Sequence, residues 1–211
     1  MKPLKANAVI HHFAERLEWS AELSDEPSWV AFYKRLWPDL VTAVRIDQNS
    51  EWQKAGIDRL LILKNGRSFT VDEKKRSKDY GDILIEEWSV GRVVNGQYCG
   101  EKVGWSLDQA KRCDFIAYAI PTATKCYLLP FEILRQACVH NLERWKKLAS
   151  GGRPAYPLDA QNEGYLTRNC SVPWGELKRA MCEQMLRRFA VDIQLPQHEP
   201  SHSPAGLEFT W

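Results

Sequence analysis

Apolar positions along the chain change period several times, and the changes predict its elements. Over residues 6 to about 19, Ile10, Phe13, Ala14 and Leu17 recur at helical spacing, which predicts an amphipathic first helix packed on a sheet. Ser24-Asp25-Glu26-Pro27-Ser28 reads as a turn into a second helix through Trp29, Phe32, Tyr33, Leu36 and Trp37, broken at Pro38. The period then shortens. Leu60-Leu61-Ile62-Leu63 and Phe69-Thr70-Val71 flank Asn65-Gly66, a strong signal for a tight hairpin. Ile83-Leu84-Ile85 predicts a third strand buried on both faces, with Glu86 and Glu87 emerging at its end. Asn95-Gly96 marks a turn, the glycine-containing residues 98–104 a loop, and Ser106-Leu107-Asp108-Gln109 a capping box opening a short helix.

Residues 113–120 and 126–129, separated by Pro121, predict two more strands. Phe131, Leu134, Cys138, Leu142 and Trp145 predict a helix to about residue 147, stopped by Ser150-Gly151-Gly152. Residues 153–164 read as a loop and Tyr165-Leu166-Thr167 as a short strand. Ser171-Val172-Pro173 is expected to open a last helix through Trp174, Leu177, Met181 and Met185. This order implies an α/β fold, a mixed β-sheet flanked by helices, in a single domain over residues 1–195. Residues 196–211, rich at first in Pro, His and Ser, are expected to form a flexible C-terminal tail.

The polar residues of the hairpin set it apart. Asp58 precedes its first strand, while Asp72 and Lys74 lie two apart on the second and so share a face. If Lys64, Asn65 and Gly66 form a three-residue loop closed by Gly66 in the left-handed conformation, Leu63 faces Arg67, and Asp58 falls opposite Asp72. A two-residue Asn65-Gly66 loop would instead pair Asp58 with Glu73 and gather Lys75 on the other face. The first register is favoured because Phe69 and Val71 then share the opposite, core-facing side. Two converging carboxylates repel each other, and a divalent cation removes the conflict. Hard oxygen ligands suit Mg²⁺ or Mn²⁺, which bind few carboxylates and keep several waters. Such an ion polarises a phosphodiester and activates water, while the Lys74 ammonium orients that water or offsets developing charge.

Gly56-Ile57-Asp58, followed after a hairpin by Val71-Asp72-Glu73-Lys74, resembles the PD-(D/E)xK phosphodiesterase superfamily, whose members share the restriction-endonuclease-like fold. The similarity spans roughly residues 50 to 130 and includes Tyr80-Gly81-Asp82-Ile83-Leu84-Ile85, which resembles the strand following the motif in some members. Ile57 stands where the name-giving Pro would be, Glu73 replaces the usual apolar middle residue, and Glu73-Lys74-Lys75 offers a second match one residue along. The resemblance implies a restriction-endonuclease-like core and a metal-dependent nuclease. Asp58 and Asp72 would be the metal ligands, with the carbonyl after Asp72 as a further candidate, and Lys74 the catalytic lysine. It also directs attention to a helical glutamate, for which Glu15 and Glu18 are candidates, and to Gln109.

A net charge of +2 does not identify a nucleic-acid binder, so any binding face must be local. Lys75, Arg76 and Lys78 follow the proposed site directly, where a phosphate backbone would pass, and DNA is the expected polymer. Lys178, Arg179, Arg187 and Arg188 either continue that track or face water. Among the nine Trp, most are expected in the core, with some rings left for stacking. The six cysteines show no Cys-x-x-Cys spacing and there is no long apolar run. The expectation is an intracellular, reducing location with free thiols, no structural zinc and no membrane partner. The rival reading is a catalytically silent module that uses the same fold to hold nucleic acid or a protein. In a third, a homodimer or a protein partner supplies the missing DNA-reading surface.

Overall fold

The hairpin closes on Gly66. Its amide donates to the Leu63 carbonyl at 3.0 Å, the Leu63 amide donates to the Arg67 carbonyl at 2.9 Å, and Gly66 adopts φ +80°. This is the three-residue loop, and the position closing it favours a residue without Cβ. It sets the register of β2 (Arg59–Leu63) against β3 (Ser68–Lys75), with Arg59 opposite Val71 and Leu61 opposite Phe69. Continuing by one pair brings Asp58 opposite Asp72.

The computed structural model describes residues 26–47, 50–150 and 153–189. The expected first helix, with Glu15 and Glu18, and the tail at 196–211 lie outside the described residues. Helix α1 (Glu26–Leu36) leads to β1 (Leu40–Arg45), which pairs antiparallel with β2. A short helix, α2 (Glu51–Lys54), is capped by the Ser50 side chain, which accepts from the Gln53 amide. Strand β3 pairs in parallel with β6 (Phe115–Ile120), and β6 antiparallel with β7 (Lys125–Pro130). The result is a five-stranded mixed sheet in the order β1-β2-β3-β6-β7.

A parallel pair needs a crossover, and here strands supply it. β4 (Asp82–Val94) and β5 (Gln97–Val103) form a hairpin through Asn95-Gly96. They join β10 (Leu158–Asn162) and β11 (Tyr165–Pro173) in a second, antiparallel sheet, ordered β10-β11-β4-β5. Two-residue strands β8 (Ala149–Ser150) and β9 (Arg153–Pro154) pair separately. Helices α3 (Phe131–Trp145) and α4 (Trp174–Phe189) complete the described chain.

The α/β class with flanking helices holds, but the single mixed sheet becomes two sheets. Residues 83–85 begin a 13-residue strand of the second sheet, so Glu86 and Glu87 lie within it rather than at its end. Residues 98–104 and 153–164, expected as loops, largely form β5, β9 and β10. Residues 165–167 open a nine-residue strand that includes Ser171-Val172-Pro173. Glycines conceal the β4-β5 pairing: a Cβ on Gly91 would collide with the Tyr98 ring, and one on Gly100 with the Trp88 ring, so both make room for cross-strand aromatics. Ser106 caps no helix. Its hydroxyl donates to the Glu86 carbonyl at 2.7 Å, fastening a turn to β4.

Each face of the mixed sheet has its own apolar cover. On one, Leu61, Leu63, Val71 and Ala117 pack under Trp29 and Tyr33 of α1, so Val71 faces core as expected. On the other, Ile116, Tyr118 and Ile120 join Ile83 and Ile85 of β4, Val172 of β11, Leu134 and Trp145 of α3, and Leu177 of α4. Trp29 and Trp145 are buried, whereas Trp52 is half exposed. All six cysteines are free. Among the described residues no helix is long and apolar enough to cross a membrane.

Candidate active site

Asp72 and Lys74 alternate with Val71 and Glu73 along β3, and pairing with β6 carries Asp72 and Lys74 onto the face of Ile116 and Tyr118. Asp58 is fixed at the mouth of β2: its amide donates to the Val71 carbonyl at 2.8 Å, and its carbonyl accepts from the Ile46 amide at 2.9 Å. Its Oδ2 accepts the Glu73 amide at 2.7 Å, which turns the carboxylate toward β3. Asp72 is almost fully buried, at 1% exposure. Lys74 Nζ donates to its Oδ1, and Lys111 Nζ to its Oδ2 at 2.5 Å. The expected trio therefore assembles, with Lys111 as a fourth member.

The two acids respond oppositely. Burial, and next the charge of Asp72, push the Asp58 carboxyl up to about 6, against the pull of Lys74. Burial also works against ionisation of Asp72, but Lys74 and Lys111 outweigh it and hold that carboxyl below the usual range. Burial disfavours charge on Lys74 as well, yet Asp72 and Asp58 prevail and raise its pKa. Lys74 is thus held as an ammonium, suited to orienting water or stabilising negative charge rather than to removing a proton.

Sequence reasoning missed Lys111. It lies 39 residues from Asp72, in an irregular turn after β5. The Arg112 amide donates to the Ala55 carbonyl at 2.9 Å, which draws this turn to the Asp58 end of the hairpin. Gly56 makes the approach possible: it adopts φ +77°, and a Cβ there would lie 2.5 Å from Lys111 Nζ. The local signal is one glycine before Ile57-Asp58, and it does not reveal which side chain occupies the space.

Lys74 and Lys111 line a cleft of about 630 Å³ between the two sheets, and Asp72 lies buried behind them. The cleft lining includes Lys54, Lys74, Lys75, Arg76, Lys102 and Lys111 against Glu86 and Asp108, so the local charge is positive although the chain's balance is near neutral. Gln53 and Lys54, just before Asp58 in the chain, also line the cleft. Lys75 lies over the Trp29 ring at 5.4 Å, and Arg76 pairs with Asp82 and lies 4.8 Å from the Tyr80 ring centre. Lys78 is exposed and not part of the lining. On α4, Arg179 pairs with Glu176 and Glu183.

The second register is not realised. Glu73 points through the opposite face, where Tyr33 donates to its Oε1 at 2.9 Å and the fully buried Arg59 donates from Nε at 2.6 Å. Glu86 does enter the cleft, accepting from Ser89 Oγ and, at 3.3 Å, from the Trp105 amide. Glu87 turns away to Lys146 at 2.7 Å. Gln109 is exposed, and its carbonyl accepts from Arg112 at 2.6 Å.

Among the described residues no three His, Cys, Asp or Glu side chains converge as a metal-binding group. Asp58 and Asp72 are nonetheless a pair of hard oxygen donors, one carrying a raised pKa that a cation would relieve. Two carboxylates are a sufficient protein contribution for an ion that retains water. Oxygen-only donors of this kind are the chemistry that suits Mg²⁺ or Mn²⁺, and here an ion would compete with Lys74 and Lys111 for the Asp72 oxygens. Comparison with known proteins adds no assignment: no protein-family model, no curated protein and no solved structure matches the chain.

Proposed function

We propose that the protein is a metal-dependent nuclease with a restriction-endonuclease-like core, hydrolysing phosphodiester bonds in nucleic acid, with DNA as the polymer. The observation that carries this reading is the meeting of Asp58, Asp72 and Lys74, with Lys74 on the lining of a positively charged cleft. An antiparallel hairpin bearing both acids, followed by a parallel strand in the same sheet, supports the core assignment. Asp58 and Asp72 would hold Mg²⁺ or Mn²⁺, with the Glu73 carbonyl as a further candidate ligand. The ion would supply phosphoryl polarisation and a more acidic water.

The remaining work falls to the chain. Lys74, fixed as an ammonium by Asp72, directs a donor into the cleft and counters charge growing on the phosphate. Lys75 and Arg76, on the lining, hold the polymer by its backbone, and the exposed Lys78 extends that basic run. Lys74 Nζ lies 6.0 Å from the centre of the Trp105 ring, which also lines the cleft. The test is nicking of supercoiled plasmid with Mg²⁺ or Mn²⁺ and with EDTA. Cleavage that requires metal and is lost in Lys74→Ala supports the proposal, and metal-independent cleavage opposes it.

One observation favours the alternative of a silent binding module: Lys74 and Lys111 already neutralise Asp72 without a metal. That reading predicts metal-independent binding of nucleic acid or a protein partner and no nicking at any Mg²⁺ or Mn²⁺ concentration.

A further inference from the structure

Lys74 engages one oxygen of Asp72 and Lys111 the other, from separate segments. Two ammonium groups thus converge on one buried carboxylate, and both side chains line the cleft. We propose that Lys111 is a second substrate-contacting cation, gripping the scissile phosphate opposite Lys74; this rests on the nuclease reading above. Lys111 lines the cleft with its side chain 14% exposed, and an ammonium has three N–H donors, so contact with Asp72 leaves donors for a phosphate oxygen. The Arg112 to Ala55 backbone bond and the close approach to Gly56 hold it at the Asp58 end of the hairpin.

Charge balance gives the role. With both acids ionised, the Asp58, Asp72, Lys74 and Lys111 side chains sum to zero, and a bound divalent cation leaves the site two units positive. In hydrolysis the water oxygen bonds to phosphorus and the bond from phosphorus to the leaving sugar oxygen breaks. One water proton ends on that sugar oxygen and the other is released. A hydroxide adding to a phosphodiester monoanion carries the transition state to two negative charges. The site containing Lys111 matches that charge, and without Lys111 it falls one unit short.

The test uses the full chain with Lys111→Gln, which retains a donor for Asp72, and Lys111→Arg. Affinity for a fluorescein-labelled DNA duplex is measured in EDTA, and Mn²⁺ affinity by calorimetry. The Gln variant should lose duplex affinity by about 10- to 100-fold yet bind Mn²⁺ more tightly, because a competing cation has gone. The Arg variant should recover duplex affinity. If wild type cleaves, kcat of the Gln variant should fall on the order of 100-fold. Unchanged duplex affinity, or joint loss of duplex and Mn²⁺ affinity with a lower melting temperature, would overturn the assignment. A wild-type protein that binds duplex but never cleaves refutes the nuclease reading, while the two affinities still judge Lys111.

Discussion

Asp72 and Glu73 are neighbours on one strand, and each meets basic side chains, yet their surroundings differ in kind. Glu73 is received by Arg59 and Tyr33 beneath α1, where Trp29 and Val71 complete a closed apolar layer. Asp72 meets Lys74, Lys111 and a second carboxylate beside a cleft open to solvent. The first arrangement balances charge under cover. The second sets like charges against each other where a ligand can enter. An acid next to a base is therefore no guide to chemistry; the face it occupies decides, and the three-residue loop at Gly66 determines the face.

The largest effect expected from breaking this contrast is on the open face. Asp72→Asn should reduce metal-dependent cleavage by about 1000-fold, the several kcal/mol that a metal-holding carboxylate supplies. Initial rates of plasmid nicking measure this, with circular dichroism confirming the fold at the assay temperature. On the closed face, Glu73→Ala leaves Arg59 buried without its carboxylate, and urea denaturation should show a loss of about 3–5 kcal/mol. Activity of the remaining folded protein should persist.

Smaller changes sharpen the comparison. Gly56→Ala forces a left-handed residue to carry a Cβ and pushes on Lys111, which should cost about 1–2 kcal/mol and weaken duplex binding. A fluorescence titration beside a melting curve separates the two effects. The mildest prediction concerns pH in the metal-free protein. Folding raises the Asp58 carboxyl from its ordinary value of 3.8 to about 6, so the folded state holds that proton more tightly. Its contribution to stability is complete below pH 4 and is lost as pH rises through 6, on the order of 1 kcal/mol per pH unit. Urea midpoints measured from pH 4 to 7 should show this fall, and Asp58→Asn should flatten it.

Much of the open face was legible because its logic is local. Asn65-Gly66 marks the turn, alternation along residues 68–75 assigns faces, and apolar Val71 places Asp72 and Lys74 opposite the α1 core. The α3 helix was equally readable from its apolar spacing. The second sheet was obscure because its glycines make space for Trp88 and Tyr98 across the hairpin, a reason visible only once the strands are paired. Ser106 had the spacing of a cap, but tertiary contact with the Glu86 carbonyl took its hydroxyl. Lys111 carried no local pattern, since its reach depends on Arg112 bonding to Ala55, 57 positions earlier in the chain.

The central claim is most directly tested by Mn²⁺-dependent nicking of supercoiled plasmid by Asp72→Asn and Glu73→Gln side by side, each at a temperature where it is folded. The account predicts that the Asp72 variant leaves the plasmid supercoiled while the Glu73 variant nicks it near the wild-type rate. Nicking by the Asp72 variant together with silence of the Glu73 variant would contradict it.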